Sequence, residues 1–245
     1  MEDIRKHRLY RGQIYEYKKG PEVSSPQEIE IPEDIPFFFG ELLKAFGRRT
    51  IFKWEKEIFK LLNEGKNVML IGPREEEREF AGIIASLFTG ISEGKCTLYL
   101  LHPLSEVNKK QEIIEEKIEK AHLRWFFSVE KCDDYPLFSG KNGVVEKLPE
   151  ILITYPHVVY SALRNNREVH SIGDFFSVLG LVVVEDLELY SPEEVSYLLH
   201  LLTLIREISE APILITSLPS PSLSQMVSGF TGAVSYTHLR AHETE

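Results

Sequence analysis

Apolar residues first recur at helical spacing from Phe37, through Phe38, Leu42, Leu43 and Phe46, until Gly47 breaks the pattern. A second stripe, Ile51, Phe52, Trp54, Ile58, Leu61 and Leu62, predicts an amphipathic helix ending at Asn63-Glu64-Gly65. After Gly65 the pattern changes. Apolar runs of strand length lie at 67–71, 97–101, 151–154, 181–184 and 213–216, and the first four show little in/out alternation. Strands buried on both faces of a parallel sheet have this signature. Helical stretches at 75–88, 105–122, 157–165 and 192–209 lie between them. The alternation predicts right-handed βαβ crossovers and an α/β domain of three layers, doubly wound around a mainly parallel sheet. Residues 1–36 lack sustained periodicity, are punctuated by Gly20-Pro21, Pro26, Pro32 and Pro36, and read as an extended N-terminal arm. Residues 130–148 read as a loop with room for one short strand.

Composition narrows the class. The 245 residues carry 28 Lys and Arg against 38 Asp and Glu, a formal charge of -10, with 43% hydrophobic residues. That is enough apolar material for a core and argues against a disordered or disulfide-stapled chain. Two cysteines are too few for a four-thiolate metal site and fit a reducing compartment. With no membrane-length apolar run and no apolar leader, the expectation is a soluble, cytoplasmic protein without a membrane partner. The acidic balance repels phosphate overall, so any nucleic-acid contact must be local.

In an open α/β sheet, ligands bind beyond the carboxyl ends of the strands. The first strand runs into Gly72-Pro73, and a helix begins directly after it. A nucleotide site would place a glycine-rich turn here, closed by a lysine for the phosphates and a hydroxyl for magnesium. The chain instead reads Gly72-Pro73-Arg74-Glu75-Glu76-Glu77-Arg78-Glu79.

The lead-in Gly65-Lys66-Asn67-Val68-Met69-Leu70-Ile71-Gly72-Pro73 resembles the approach to the phosphate loop of superfamily-2 (DEAD/DEAH-type) helicases. The similarity continues in order. Leu98-Tyr99-Leu100-Leu101-His102-Pro103 resembles the motif that begins single-strand contact, and Ile151-Leu152-Ile153-Thr154-Tyr155-Pro156-His157 the next nucleic-acid motif. Glu185-Asp186-Leu187-Glu188 stands in the place of the Asp-Glu-x-His box, and Thr216-Ser217-Leu218-Pro219 in that of the Ser-Ala-Thr coupling motif. Tyr10-Arg11-Gly12-Gln13-Ile14 is similar to the entry of one subgroup, the DNA-repair helicases with a C-terminal cysteine-rich domain. The resemblance implies a RecA-like, P-loop NTPase-type first motor domain over 37–232. Active relatives use ATP and magnesium held between two such domains, so a second motor domain is expected to be missing by truncation.

The catalytic positions depart from the pattern. The loop glycines fall on Glu75 and Glu77, the phosphate lysine on Arg78 and the magnesium hydroxyl on Glu79. Glu55 replaces the adenine-reading glutamine, the metal-binding pair is inverted to Glu185-Asp186, and Glu188 replaces the coupling histidine. Ser217 remains. Glutamates at a helix N-terminus take the electrostatic place a triphosphate would need, and their Cβ atoms disfavour the glycine conformations. The nucleotide-site remnants are therefore Glu55, Gly72, Pro73, Arg78, Glu79, Glu185, Asp186 and Glu188, with no functional catalytic residue and no bound cofactor expected.

The implied function is a helicase-like pseudo-ATPase domain acting as a nucleic-acid or protein-binding module. Two alternatives stay open: an active ATP-dependent helicase in which Arg78 serves for the lysine, and a protein-interaction scaffold without nucleic acid. Candidate partners are single-stranded or duplex DNA or RNA, a partner protein, or a second RecA-like domain. By resemblance Pro103, Ser105, Thr154 and Tyr155 would meet a nucleic-acid backbone. Basic residues do not cluster near them, and Lys109-Lys110 reads as offset by Glu106, Glu112, Glu115 and Glu116. Carboxylates at 185, 186 and 188 suit a hard cation, but without phosphate to share it no metal is expected. Gly90-Ile91-Ser92-Glu93-Gly94-Lys95 has the wrong spacing for a phosphate loop. Trp54 and Phe52, at helical spacing with Ile58, read as core rather than as a stacking platform. Finally, residues 235–245 resemble translated sequencing-adapter read-through, so 233–245 is set aside as a non-native tail and His238 and His242 are not read as a zinc pair.

Overall fold

The computed structural model describes residues 28–31, 37–72, 74–134, 148–164, 169–219 and 234–237. All belong to one unit, Pro26–His238. Strand β1 (Glu28–Glu30) pairs antiparallel with β2 (Thr50–Phe52), and helix α1 (Phe37–Ala45) lies between them in sequence. Helix α2 (Lys53–Asn63) follows β2 directly. Ile51 and Phe52 thus belong to a strand and not to the helix that their spacing with Ile58 predicted. A strand that runs straight into a helix leaves no polar break to mark the change of period.

The main sheet starts at β3 (Val68–Ile71) and continues through α3 (Glu75–Glu93), β4 (Cys96–Leu100), α4 (Val107–Lys120), β5 (Val129–Cys132) and β6 (Ile151–Thr154). Then come α5 (Pro156–Arg164), α6 (Val169–Ser177), β7 (Leu179–Val184), α7 (Pro192–Ile208), β8 (Ile213–Ser217) and β9 (Val234–Thr237). The strand order is β5-β6-β4-β7-β8-β3-β9, with every pairing parallel. This is the predicted doubly wound sheet. Among the described residues, no helix is long and apolar enough to cross a membrane.

Successive strand side chains enter opposite faces, which is why the runs do not alternate with polar residues. Val68, Leu70, Tyr99, Ile151, Ile153, Leu181, Val183 and Leu214 pack with α1 to α4. Met69, Leu98, Leu100, Leu152, Val182, Val184, Ile213 and Ile215 pack with α5 to α7. Local chemistry fixes the helix ends. Gly94 ends α3 at φ +62°, and Ser191 caps α7 reciprocally with Glu194, with Pro192 at the first helical position. Gly90 and Ile91 lie in the last turns of α3, as expected for a segment that is no phosphate loop.

Besides β1 and β2, two elements were not read from the pattern: α6, and β9, which lies parallel to β3 with Val68 opposite Val234. All four residues of β9, Val234 to Thr237, fall within 233–245, the segment set aside as non-native. Parallel pairing runs through the backbone and is indifferent to side-chain identity, so this strand leaves the origin of residues 233–245 where it stood.

Candidate nucleotide-site remnant

β3 delivers the chain to Gly72, whose N–H donates to the Ser217 carbonyl at 3.1 Å. Helix α3 then begins at Glu75, after Arg74 in an extended conformation with no side-chain cap. Glu75 and Glu76 are exposed to water and Glu77 pairs with Arg74 at 3.0 Å. The helix dipole stabilises carboxylates here by about 0.3–1 kcal/mol each. Pro73 lies outside the described residues.

One turn into α3, Arg78 points back under the loop and is buried. Its Nη1 donates to the Gly72 carbonyl at 2.6 Å, and its Nη2 donates to Asp186 at 3.0 Å and to Glu188 at 2.9 Å. Glu188 also accepts the Leu218 N–H at 3.0 Å through its second oxygen. A single carboxylate therefore ties the start of α3 to the segment after β8. Asp186 takes a left-handed conformation, φ +50°, that aims its N–H at the Thr216 hydroxyl, 3.2 Å away. A planar fork meeting several acceptors is arginine chemistry that a lysine cannot reproduce.

A second group lies beside the first. Glu185 accepts from the Tyr99 hydroxyl at 2.6 Å and pairs with Lys110 at 2.8 Å, and Lys110 also reaches Glu79 at 2.6 Å. Burial pushes the Glu185 carboxyl up, against the opposing pull of Lys110 and the Tyr99 hydroxyl. Burial also works to lower Lys110, but Glu185 and Glu79 overcome it and hold the ammonium above its ordinary value. Burial, reinforced by the Glu185 charge, lifts the Tyr99 phenol well above its ordinary range. Lys110 thus differs from its sequence reading: its partners are on α3, on the same face of the sheet, and after β7, not the glutamates nearby in sequence.

Glu55 closes a third corner. It is buried, accepts both guanidinium nitrogens of Arg48, one at 2.9 Å, and accepts the Phe52 N–H at 2.7 Å. Arg48 in turn lies between the Phe52 and Phe80 rings, 5.1 and 5.0 Å from their centroids. Desolvation raises the Glu55 carboxyl, opposed by Arg48. Trp54 is buried and Phe52 stacks on it at 5.9 Å, so both act as packing, as expected.

The structure therefore gathers Gly72, Arg78, Glu79, Glu185, Asp186 and Glu188 at the strand ends and engages their charges with one another. Ser217, fully buried, donates to the Leu218 carbonyl at 3.0 Å. Among the described residues, no three His, Cys, Asp or Glu side chains are placed to hold a metal ion. The nucleic-acid candidates are more scattered. Pro103 is exposed, and the half-buried Tyr155 donates to the Ser105 carbonyl at 2.8 Å. Thr154 is fully buried, its hydroxyl without a hydrogen-bond partner among the described residues. Arg48, Tyr99 and Lys110 were missed in the sequence. Tyr99 and Lys110 find Glu185 86 and 75 residues away along the chain, where no local spacing marks them, whereas Arg48 is only seven residues from Glu55.

No family model matches the sequence, nor does any curated protein. Solved structures do match. The DUF1998 helicase MrfA bound to DNA and AMPPNP aligns with 87% of this chain and 30% of its own, at 16% identity and a TM-score of 0.68. A DEAD-box helicase bound to single-stranded RNA and UDP-BeF covers 82% of this chain and 42% of its own, at 10% identity and a TM-score of 0.61. A hypothetical ATP-dependent RNA helicase from Sulfolobus tokodaii covers 81% and 56%, at 13% identity and a TM-score of 0.52. These likenesses show the fold: a RecA-like α/β domain. The chain spans about a third of the length of MrfA.

Proposed function

We propose that this chain is a helicase-like pseudo-ATPase domain, a binding module for nucleic acid or a partner protein in which the ATP-hydrolysis site has become structural. One observation carries the reading: the Arg78 guanidinium, at the position of the phosphate lysine, is bonded to the loop's own Gly72 carbonyl and to the two carboxylates at the metal-binding and coupling positions. Phosphate would have to displace all three acceptors and enter beside Glu79 and Glu185. Neither ATP nor magnesium is part of this reading. The nucleic-acid role rests on the fold shared with helicases solved on DNA and RNA, and the protein-partner alternative is kept because Lys110, on the helix that follows Pro103 and Ser105, is engaged by Glu79 and Glu185.

Calorimetric titration of the full chain with ATP and magnesium tests the first half. No saturable heat is expected. Micromolar, magnesium-dependent binding would overturn the pseudo-enzyme reading in favour of a working ATPase with arginine in place of lysine. Fluorescence anisotropy with labelled single-stranded DNA and RNA tests the second half. Affinity that falls steeply with salt supports the nucleic-acid module, whereas a flat response at low salt leaves the protein-binding one.

A further inference from the structure

The other end of α3 carries a feature that the nucleotide-site remnant does not use. From Arg78 to Gly90 the helix rises about 18 Å, and there it borders two adjoining cavities. One, of about 550 Å³, is lined by Leu42, Ala45, Ile91, Leu123, Phe126 and Phe127. The second, of about 500 Å³, is lined by Glu112, Glu115, Glu116, Glu119, Glu130 and Arg124. Phe127 lines both, so they form one groove with an apolar half and an acidic half.

Large aromatic side chains stand at its edge. Trp125 is 95% exposed and Phe126 69% exposed, on the connection between α4 and β5. This connection is a constructed frame. Helix α4 closes with the Leu123 N–H on the Ile118 carbonyl (2.9 Å) and the His122 N–H on that of Glu119 (3.0 Å), with His122 left-handed at φ +56°. Beyond it, Ser128 N–H donates to Glu150 at 2.7 Å, and the Phe127 ring lies where a Cβ at Gly90 would collide with it. Trp125 stands in water on this frame. Exposed aromatics beside an apolar cleft mark interaction surfaces.

We propose that this groove binds a basic amphipathic helix of a partner protein. Its apolar face would cover Trp125, Phe126 and the apolar half, and its lysines or arginines would meet the acidic half. Charge complementarity selects this occupant. Five glutamates and one arginine line the acidic half; Lys120 pairs with Glu116 and Arg124 lies 3.9 Å from Glu119, while Glu112 and Glu130 carry no cation among the described residues. A nucleic acid is repelled there, and a second copy would bring the same acidic helix and a chain charge of -10. The inference is independent of the fate of the ATP site.

The test uses the full chain and labelled synthetic helices of about 18 residues, one of Leu and Lys in amphipathic order, one of Leu and Glu, and one of Ala and Lys. The only other tryptophan, Trp54, is buried, so a blue shift of tryptophan emission reports Trp125. The Leu/Lys helix is expected to saturate with a blue shift and a salt-dependent affinity, and to bind about tenfold or more tightly than either control. The charge-neutral pair W125S/F126S, at two exposed positions, and the apolar-neutral triple E115Q/E116Q/E119Q are each expected to weaken it about tenfold or more. Equal binding by W125S/F126S, or by the Leu/Glu helix, overturns the proposal. So does a shift that appears on raising protein concentration without peptide, which would make a second copy the occupant, or one caused by a single-stranded oligonucleotide.

Discussion

Replacing Arg78 by methionine keeps most of the apolar stem and removes the fork that binds the loop to the carboxylates. The side chains of Arg78, Asp186 and Glu188 are 4%, 22% and 17% exposed. Removing one partner from a fully buried ion pair costs about 3–5 kcal/mol, because the other charge is left without compensation. Here both carboxylates keep some water, which lowers the figure, while the Gly72 carbonyl loses a charged donor, which adds about 1 kcal/mol. A destabilisation of roughly 3 kcal/mol results, a large share of the 5–15 kcal/mol of a typical domain. With a urea slope of about 2–3 kcal/mol per molar, the unfolding midpoint falls by about 1 M. Arg78→Lys restores the charge but reaches fewer acceptors, so it recovers only part of the loss. A double-mutant cycle with Glu188→Gln should return a coupling of about 1–3 kcal/mol. If Arg78→Met shifts stability by less than about 0.5 kcal/mol, as an ordinary surface change does, the arginine holds nothing together and the structural role assigned to it fails.

Lys110→Met leaves Glu185 buried beside Tyr99 without its cation. Lys110 is held above 10.5, so its contribution is complete below that pH and is lost as pH rises through its folded value; the Glu185 carboxyl, raised from 4.5, lowers stability as pH rises through its own. Thermal melts should therefore show the gap between wild type and variant widening from acid to neutral pH and narrowing above pH 10.5, and a constant gap would refute the pairing. Gly82→Ala places a Cβ 2.6 Å from the Tyr99 hydroxyl, and the strain should cost about 1–3 kcal/mol in chemical denaturation. The same change in a Tyr99→Phe background should cost clearly less, and an equal cost would place the strain elsewhere. His122→Gly relieves a left-handed non-glycine residue at the end of α4 and should raise stability by about 0.5 kcal/mol or more, with a lowered melting temperature counting against the cap.

The sheet was legible because its inner strands are apolar on both faces: Val68–Ile71 and Leu179–Val184 hold no exposed position for a polar residue to mark. The edges were not. β5 reads Val129-Glu130-Lys131-Cys132, half exposed at the rim of the sheet, and in sequence it merges with a loop. Helix α6, nine residues long, gives little periodicity to recognise, and β2 shares the i, i+7 spacing of the helix it precedes. At the candidate site, the run of glutamates after Gly72 was plain, since it needs only local order. The partners of Arg78 were not, because its carboxylates lie 108 and 110 residues away.

The pairing of β9 with β3 has a practical consequence for any shortened form of this chain. Every residue of β3 is buried, and its register with Val234–Thr237 occupies one whole side of its backbone. Cutting the chain at residue 232 would turn this apolar strand into an open border of unpaired N–H and C=O groups, the kind of border that templates sheet-to-sheet adhesion between molecules. The ladder does not read side chains, so any extended segment, from the same chain or from a neighbour, can seal it. β3 also leads directly into Gly72, and through that carbonyl its border is mechanically joined to Arg78. A loose margin at one end of the sheet would therefore be felt first at the site where its strands end.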